Sequence, residues 1–351
     1  MMPYIEFATE NYINAKFNLA RSDVNGPELE NLLDMDRVFQ LMKKDSYSLM
    51  KILRSKLASI YSVPDYNIEF TIGVTNSFFT ISHIMKNLGH GRVICESPGY
   101  EPFWLTPQGC GLDVIFLERS TNDYTIDLEK LEEISKEGDW LWISNPHNPS
   151  GKYLTIKEIS EIAQVLKKKN CFLFVDEIYH DFVTPLGEDS AISQESNVVI
   201  SSSFTKTYGL GGQKVGWIIG PKIIIEQATI LRLHQFMLIP SPSLSLLIPF
   251  MDEREKVRTK SILHVKNNLE FLKSLAPETK MMLPKEGPIG LYKLNNGIND
   301  IDFSISCSRQ YGLVVAPGSF FLKPGFLRLS WAGDNDSFKE SIKLLQSIEK
   351  K

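Results

Sequence analysis

The sequence predicts an α/β fold in two parts: a large unit on a mostly parallel seven-stranded sheet flanked by helices, and a smaller α+β unit. Three observations carry that expectation. The chain has 351 residues, more than one hydrophobic core usually serves, so two domains are expected. Seven short apolar runs alternate with amphipathic stretches through its middle. Several of those runs lack the in–out alternation of a strand with one wet face, which is the mark of a sheet covered on both sides.

The seven runs are Ile68–Ile72, Val93–Cys95, Val114–Leu117, Trp140–Ile143, Phe172–Val175, Val198–Ile200 and Trp217–Ile219. Helical spacing joins Phe78, Ile81, Met85 and Leu88 on one face that stops at Gly89, and Ile156, Ile159, Ile162, Ala163 and Leu166 on another. From about Ala228 the pattern changes. A long amphipathic stretch covers Leu244–Leu275, and Leu291–Leu294, Leu313–Ala316 and Phe326–Trp331 then read as strands of the smaller unit. That unit is expected to take up part of the N-terminal segment as well. The division is therefore residues 46–240 for the large domain, and 1–45 with 241–351 for the rest. Pro240-Ser241-Pro242 is the hinge candidate.

Composition narrows the function. A hydrophobic share of 43% with 23% charged residues is globular rather than disordered. A net charge of -4 gives no electrostatic reason to bind nucleic acid or an anionic membrane. No stretch has the length and apolarity of a membrane span. The first twenty residues carry Glu6 and Glu10 without an apolar run after a basic cluster, so a secretory signal is not expected and the cytoplasm is. Cys95, Cys110, Cys171 and Cys307 are scattered, and read as buried thiols rather than a disulfide frame or metal site.

Four local patterns follow in order. Gly73-Val74-Thr75-Asn76-Ser77 lies between a strand and a helix. It fits either an ordinary Thr/Ser cap or a phosphate held on a helix N-terminus. Asn145-Pro146-His147-Asn148-Pro149-Ser150-Gly151 follows a strand directly, so Asn148 stands at the strand's carboxyl edge, where open α/β sheets bind ligands. A rigid loop without a ligand is its other reading. Asp176-Glu177-Ile178-Tyr179 closes a very apolar strand, where an acid is costly unless it caps a helix or meets a cation. A metal on Asp176 and His180 lacks further ligands. The fourth runs from Ser201 through Phe204-Thr205-Lys206 to Gly209-Leu210-Gly211-Gly212-Gln213-Lys214. Lys206, just past a strand and among hydroxyls and glycines, is either an exposed lysine or one that forms a Schiff base with an aldehyde cofactor. Gly209-Leu210-Gly211 fails as a dinucleotide fingerprint, because Lys214 stands where the third glycine belongs.

Together these motifs, with Val314-Val315-Ala316-Pro317-Gly318-Ser319-Phe320-Phe321 and Phe326-Leu327-Arg328-Leu329-Ser330-Trp331-Ala332-Gly333, resemble the class I/II aminotransferases, the fold-type I pyridoxal-phosphate enzymes. The resemblance spans about Tyr47 to Trp331. It implies pyridoxal 5′-phosphate as cofactor and Lys206 as its Schiff-base lysine. It implies further that Asp176 keeps the ring nitrogen protonated, that Tyr179 and Asn148 bond the phenolic oxygen, and that Tyr100 stacks on the ring. Val74, Thr75, Ser203 and Lys214 would surround the phosphate, with Tyr47 reaching the phosphate of a neighbouring subunit in a homodimer. Arg328 would pair with the substrate α-carboxylate beside Asn148. The implied partners are an L-amino acid and a 2-oxo acid in a ping-pong transamination, with no nucleic acid, membrane or metal. The same fold also serves lyases, decarboxylases and histidinol-phosphate aminotransferases. The chain departs from the family at Lys214, where arginine is usual: lysine keeps the charge and loses the planar fork. The preferred donor stays open. Arg21 or Arg232 would suit an acidic side chain, and Phe103 and Trp104 an aromatic or aliphatic one.

Overall fold

The computed structural model describes residues 2–13, 15–275 and 281–350; residues 1, 14, 276–280 and 351 lie outside the described residues. The seven apolar runs form one sheet: β1 Ile68–Thr71, β2 Arg92–Ser97, β3 Asp113–Glu118, β4 Trp140–Ser144, β5 Phe172–Asp176, β6 Val198–Ser203 and β7 Gly216–Ile219. Their order across the sheet is β1-β7-β6-β5-β4-β2-β3. Only β7 runs against its neighbours. Every residue of β1, β4, β6 and β7 is buried, as continuous apolar runs require in a sheet with two covered faces. At the edge, β3 leaves Asp113, Phe116 and Glu118 exposed.

Helices cover both faces. The first helix, α1 (Pro3–Asn11), belongs to the N-terminal segment, while α2 (Ser46–Tyr61) and α3 (Val74–Asn87) flank β1 in sequence. The spacing read from Phe78 to Leu88 is α3, whose Phe78, Ile81, Ile84 and Met85 are fully buried. Next, α4 (Ile156–Lys168) starts in a capping box between Thr155 and Glu158. Lys222–Gln235 forms α5, and Ser241–Ser274 forms the 34-residue α6, about 51 Å long at 1.5 Å per residue. Pro240-Ser241-Pro242 opens α6; prolines suit a first turn, whose N–H groups have no partner inside the helix. Leu244, Leu247 and Phe250 of α6 join the sheet's core, whereas Val265, Leu269 and Leu272 join a second core with Leu19, Ile289 and Leu327.

That second core lies on an antiparallel sheet of β8 (Met281–Met282), β9 (Ile289–Lys293), β10 (Ala316–Pro317) and β11 (Phe326–Ser330), in the order β10-β11-β9-β8. The run Leu313–Ala316, read as one strand, divides. Leu313 and Val314 pair in parallel with Phe17 and Asn18 of the N-terminal segment, and Ala316 pairs with Arg328. No helix among the described residues is long and apolar enough to cross a membrane. All four cysteines are free, and Cys110 is only half-buried, unlike the other three.

Candidate active site

Because β1, β2, β4, β5 and β6 run in one direction, the turns after them share one edge of the sheet. The reversed β7 brings the residues just before it to the same edge. This is the edge where the crossovers of a parallel sheet leave room for a ligand. A cavity opens there, and its lining includes Val74 and Thr75 after β1, Tyr100 after β2, Asn148 after β4, Asp176 and Tyr179 at the end of β5, Lys206 after β6 and Lys214 before β7. From the second sheet, β11 adds Arg328. The N-terminal segment adds Tyr4 and Ser22.

Asp176 is buried and accepts a hydrogen bond from the Ile178 N–H at 3.0 Å. Burial, reinforced by Glu96 and Glu177, pushes its carboxyl up to about 8 against the pull of Ile178 and Lys206. An acid so placed in the cavity lining calls for a cation beside it. Asn148 is held by a relay behind it. Its N–H donates to Ser144 Oγ at 2.9 Å, and Ser144 donates to Glu96 through both N and Oγ at 2.8 Å. Glu96 in turn accepts from Arg119, with both side chains fully buried. The Oδ1 of Asn148 is buried without a partner. Next in the same loop, His147 lies between Ser150 Oγ and the Pro98 carbonyl; burial, with Arg119, pushes it well below its ordinary value, so the ring is neutral.

Tyr179 shares a 2.6 Å hydrogen bond with Ser22 Oγ. His180 bonds to the Glu188 carbonyl at 2.7 Å and to Thr184, away from Asp176. Lys214 holds a φ of 53°, the left-handed region that non-glycine residues seldom take, at a cost of about 1 kcal/mol or more. Arg328 is buried; its Nη2 donates to Tyr4 Oη at 2.7 Å and to the Ala20 carbonyl, while its Nε has no partner.

Some residues fall elsewhere. Ser203 does not line the cavity: its Oγ bonds to Thr205 Oγ1 at 2.9 Å, and Thr205 takes the lining position. Tyr47 stands in the first turn of α2, 70% exposed and outside the cavity of this single chain. Phe103 packs in the core against Phe78 and Trp142, and Trp104 against Phe116. Arg21 is engaged by Asp23 at 2.9 Å, and Arg232 by Glu69 at 3.0 Å. Neither is a free cation in the cavity. Tyr4 and Ser22 carry no local signal in the sequence, and Thr205 has one only as the neighbour of Lys206.

The family model described as aminotransferase class I and II matches residues 42–345. An aspartate aminotransferase of Sulfolobus acidocaldarius is 23% identical over 84% of this chain and 80% of its own length. A histidinol-phosphate aminotransferase of Caldicellulosiruptor saccharolyticus is 25% identical over 84% and 81%. Among solved structures, a PLP-dependent aminotransferase from Streptococcus suis superposes with a TM-score of 0.84 at 18% identity, covering 99% of this chain and 97% of that one. An aspartate aminotransferase from Thermotoga maritima gives 0.80 at 19%, covering 99% and 94%.

Proposed function

Since the chain belongs to the class I and II aminotransferases, pyridoxal-phosphate-dependent transaminases, we propose that Lys206 is its cofactor-bearing lysine and Arg328 its substrate-carboxylate arginine. The observation that carries this reading is the pattern of charge in the cavity. Lys214 and Arg328 line it without a carboxylate partner among the described residues. Two unpaired cations and a buried acid in one cavity match a ligand with two anionic ends and a cationic ring.

Asp176 would face the ring nitrogen, Tyr179 and Asn148 the phenolic oxygen, and Tyr100 the ring. The orphaned Oδ1 of Asn148 is an acceptor that supports a ligand bringing an O–H or N–H donor. Val74, Thr75, Ser203, Thr205 and Lys214 would hold the phosphate, Ser203 through Thr205. When bound, the cofactor withdraws electrons from the substrate's Cα. Arg328 and Asn148 orient the amino acid, and the Lys206 amine takes the Cα proton. The exposure of Tyr47 supports a homodimer in which it serves the neighbouring subunit. We place the large domain at residues 46–240 and the smaller one at 1–45 with 241–351, and the enzyme in the cytoplasm, in keeping with its free thiols.

Borohydride reduction with pyridoxal phosphate, followed by peptide mapping, is expected to label residue 206. A label elsewhere, or amino transfer that persists in Lys206→Ala, sinks the assignment. Amino donors incubated with 2-oxoglutarate should yield glutamate; ammonia or pyruvate instead would mark a lyase.

A further inference from the structure

Of the three cations lining the cavity, Lys206 alone has a carboxylate partner among the described residues, and that partner is Asp23, with Nζ and Oδ1 3.8 Å apart. Resting on the reading of Lys206 given above, we propose that Asp23 is a positioning residue, the counter-anion that stations the ε-ammonium of Lys206 whenever its nitrogen is not covalently engaged.

The contact is built from three directions. Arg21 grips one oxygen of Asp23, donating from Nε at 3.1 Å and Nη2 at 2.9 Å, both to Oδ2. Oδ1 is thereby left to the lysine. Burial pushes the Asp23 carboxyl up, but Lys206 and Arg21 outweigh it and hold it below its ordinary value, so the group is an anion at neutral pH. The backbone then fixes both segments together. The Val24 N–H donates to the Lys206 carbonyl at 3.2 Å. Two residues on, Gly26 meets Gly209 so closely that a Cβ on Gly26 would lie 2.7 Å from the Gly209 oxygen, and one on Gly209 2.4 Å from the Gly26 nitrogen. Only glycine permits that approach. On the other side, Ser22 is tied to Tyr179. Asp23 sits inside a clamp that joins the N-terminal segment to the lysine's own turn.

The division of labour follows from charge. Cations meant for anionic ends of a ligand are most useful unpaired, because any resident carboxylate competes with the ligand. A lysine that exchanges protons and covalent partners has the opposite need. Its freed ammonium requires a fixed station near the reacting atoms, since a flexible four-carbon stem otherwise wanders. At 3.8 Å, with the two side chains 25% and 18% exposed, the pair is near enough to hold the amine and loose enough to release it.

The test uses the full chain with its cofactor removed, as wild type, Asp23→Asn and Asp23→Glu. Reductive methylation with formaldehyde and a borane at neutral pH reads the free amine at each lysine by peptide mapping, with exposed Lys222 as the internal standard. In Asp23→Asn, Lys206 should methylate severalfold faster relative to Lys222, because no carboxylate then holds its ammonium. Asp23→Glu should restore the wild-type rate, which a merely structural role would not predict. If Asp23→Asn fails to fold, Asp23→Ser removes the same carboxylate and should accelerate Lys206 likewise. An unchanged Lys206 rate in whichever variant folds overturns the pairing. A borohydride label at 206 with that unchanged rate leaves the functional reading standing, whereas a label elsewhere overturns both.

Discussion

Replacing Asp176 by asparagine should stabilise the cofactor-free protein and at the same time weaken its hold on the cofactor. Burial chiefly moves this carboxyl from 3.8 to about 8. A shift of that size corresponds to about 6 kcal/mol against the ionised form. Relaxation and water in the open cavity ease the penalty, so about 2–3 kcal/mol is the expected effect. The sign follows from proton counting. Between the two values the native state binds more protons than the unfolded chain, so the penalty is absent below 3.8, grows as pH rises and levels off above about 8. Asparagine has no such charge. Wild type and variant should therefore unfold at similar temperatures near pH 4, with the variant about 3–4 °C higher near pH 9.

Saturating pyridoxal phosphate should reverse the order. A cation against Asp176 compensates the buried charge, so wild type gains far more from the ligand than Asp176→Asn does. Thermal unfolding at pH 4, 7 and 9, with and without cofactor, separates the cases. A gap that does not grow with pH, or a variant that gains as much from the cofactor as wild type, refutes the idea that this acid is kept unpaired for a cationic ring.

Two further substitutions probe the unpaired cations. Arg328→Lys keeps the charge but loses the fork, and kcat/KM for amino and oxo acids should fall about 30-fold, roughly 2 kcal/mol, with the cofactor held as before; an unchanged kcat/KM in steady-state assays would place the carboxylate elsewhere. Lys214→Arg supplies two parallel N–H donors to a phosphate and should tighten the cofactor Kd severalfold in an absorbance titration, with no change counting against Lys214 as its phosphate ligand.

What the sequence discloses about this fold follows the range of the forces involved. The sheet strands were legible because both faces are buried, which writes an unbroken apolar run into Trp140–Ile143 or Trp217–Ile219 with no partner needed to recognise it. The turns after them were legible for the same reason: a strand end, a proline or glycine and the next helix start are local signals, and in a parallel sheet they meet at one edge. A four-residue run such as Leu313–Ala316 has no room to show that its halves pair with different sheets. Ser203 and Thr205 were beyond resolution by spacing, since a hydroxyl–hydroxyl bond decides which of them faces the cavity.

Charge balance is the least local property, and there the reading went astray. Arg21 and Arg232 looked available because a free cation and a neutralised one have the same letter; the acid that neutralises Arg232 is 163 residues away at Glu69. Tyr4 was invisible because its place is fixed by Glu101, whose carboxylate accepts from the Tyr4 and Ile5 N–H groups at 2.9 Å, and by Arg328 beneath it. These long-range pairings decide what the cavity can do. Motifs name three cations, but only the fold leaves Lys214 and Arg328 open for anions and puts a carboxylate beside Lys206. The partner each cation lacks or keeps, more than its presence in a motif, assigns its role.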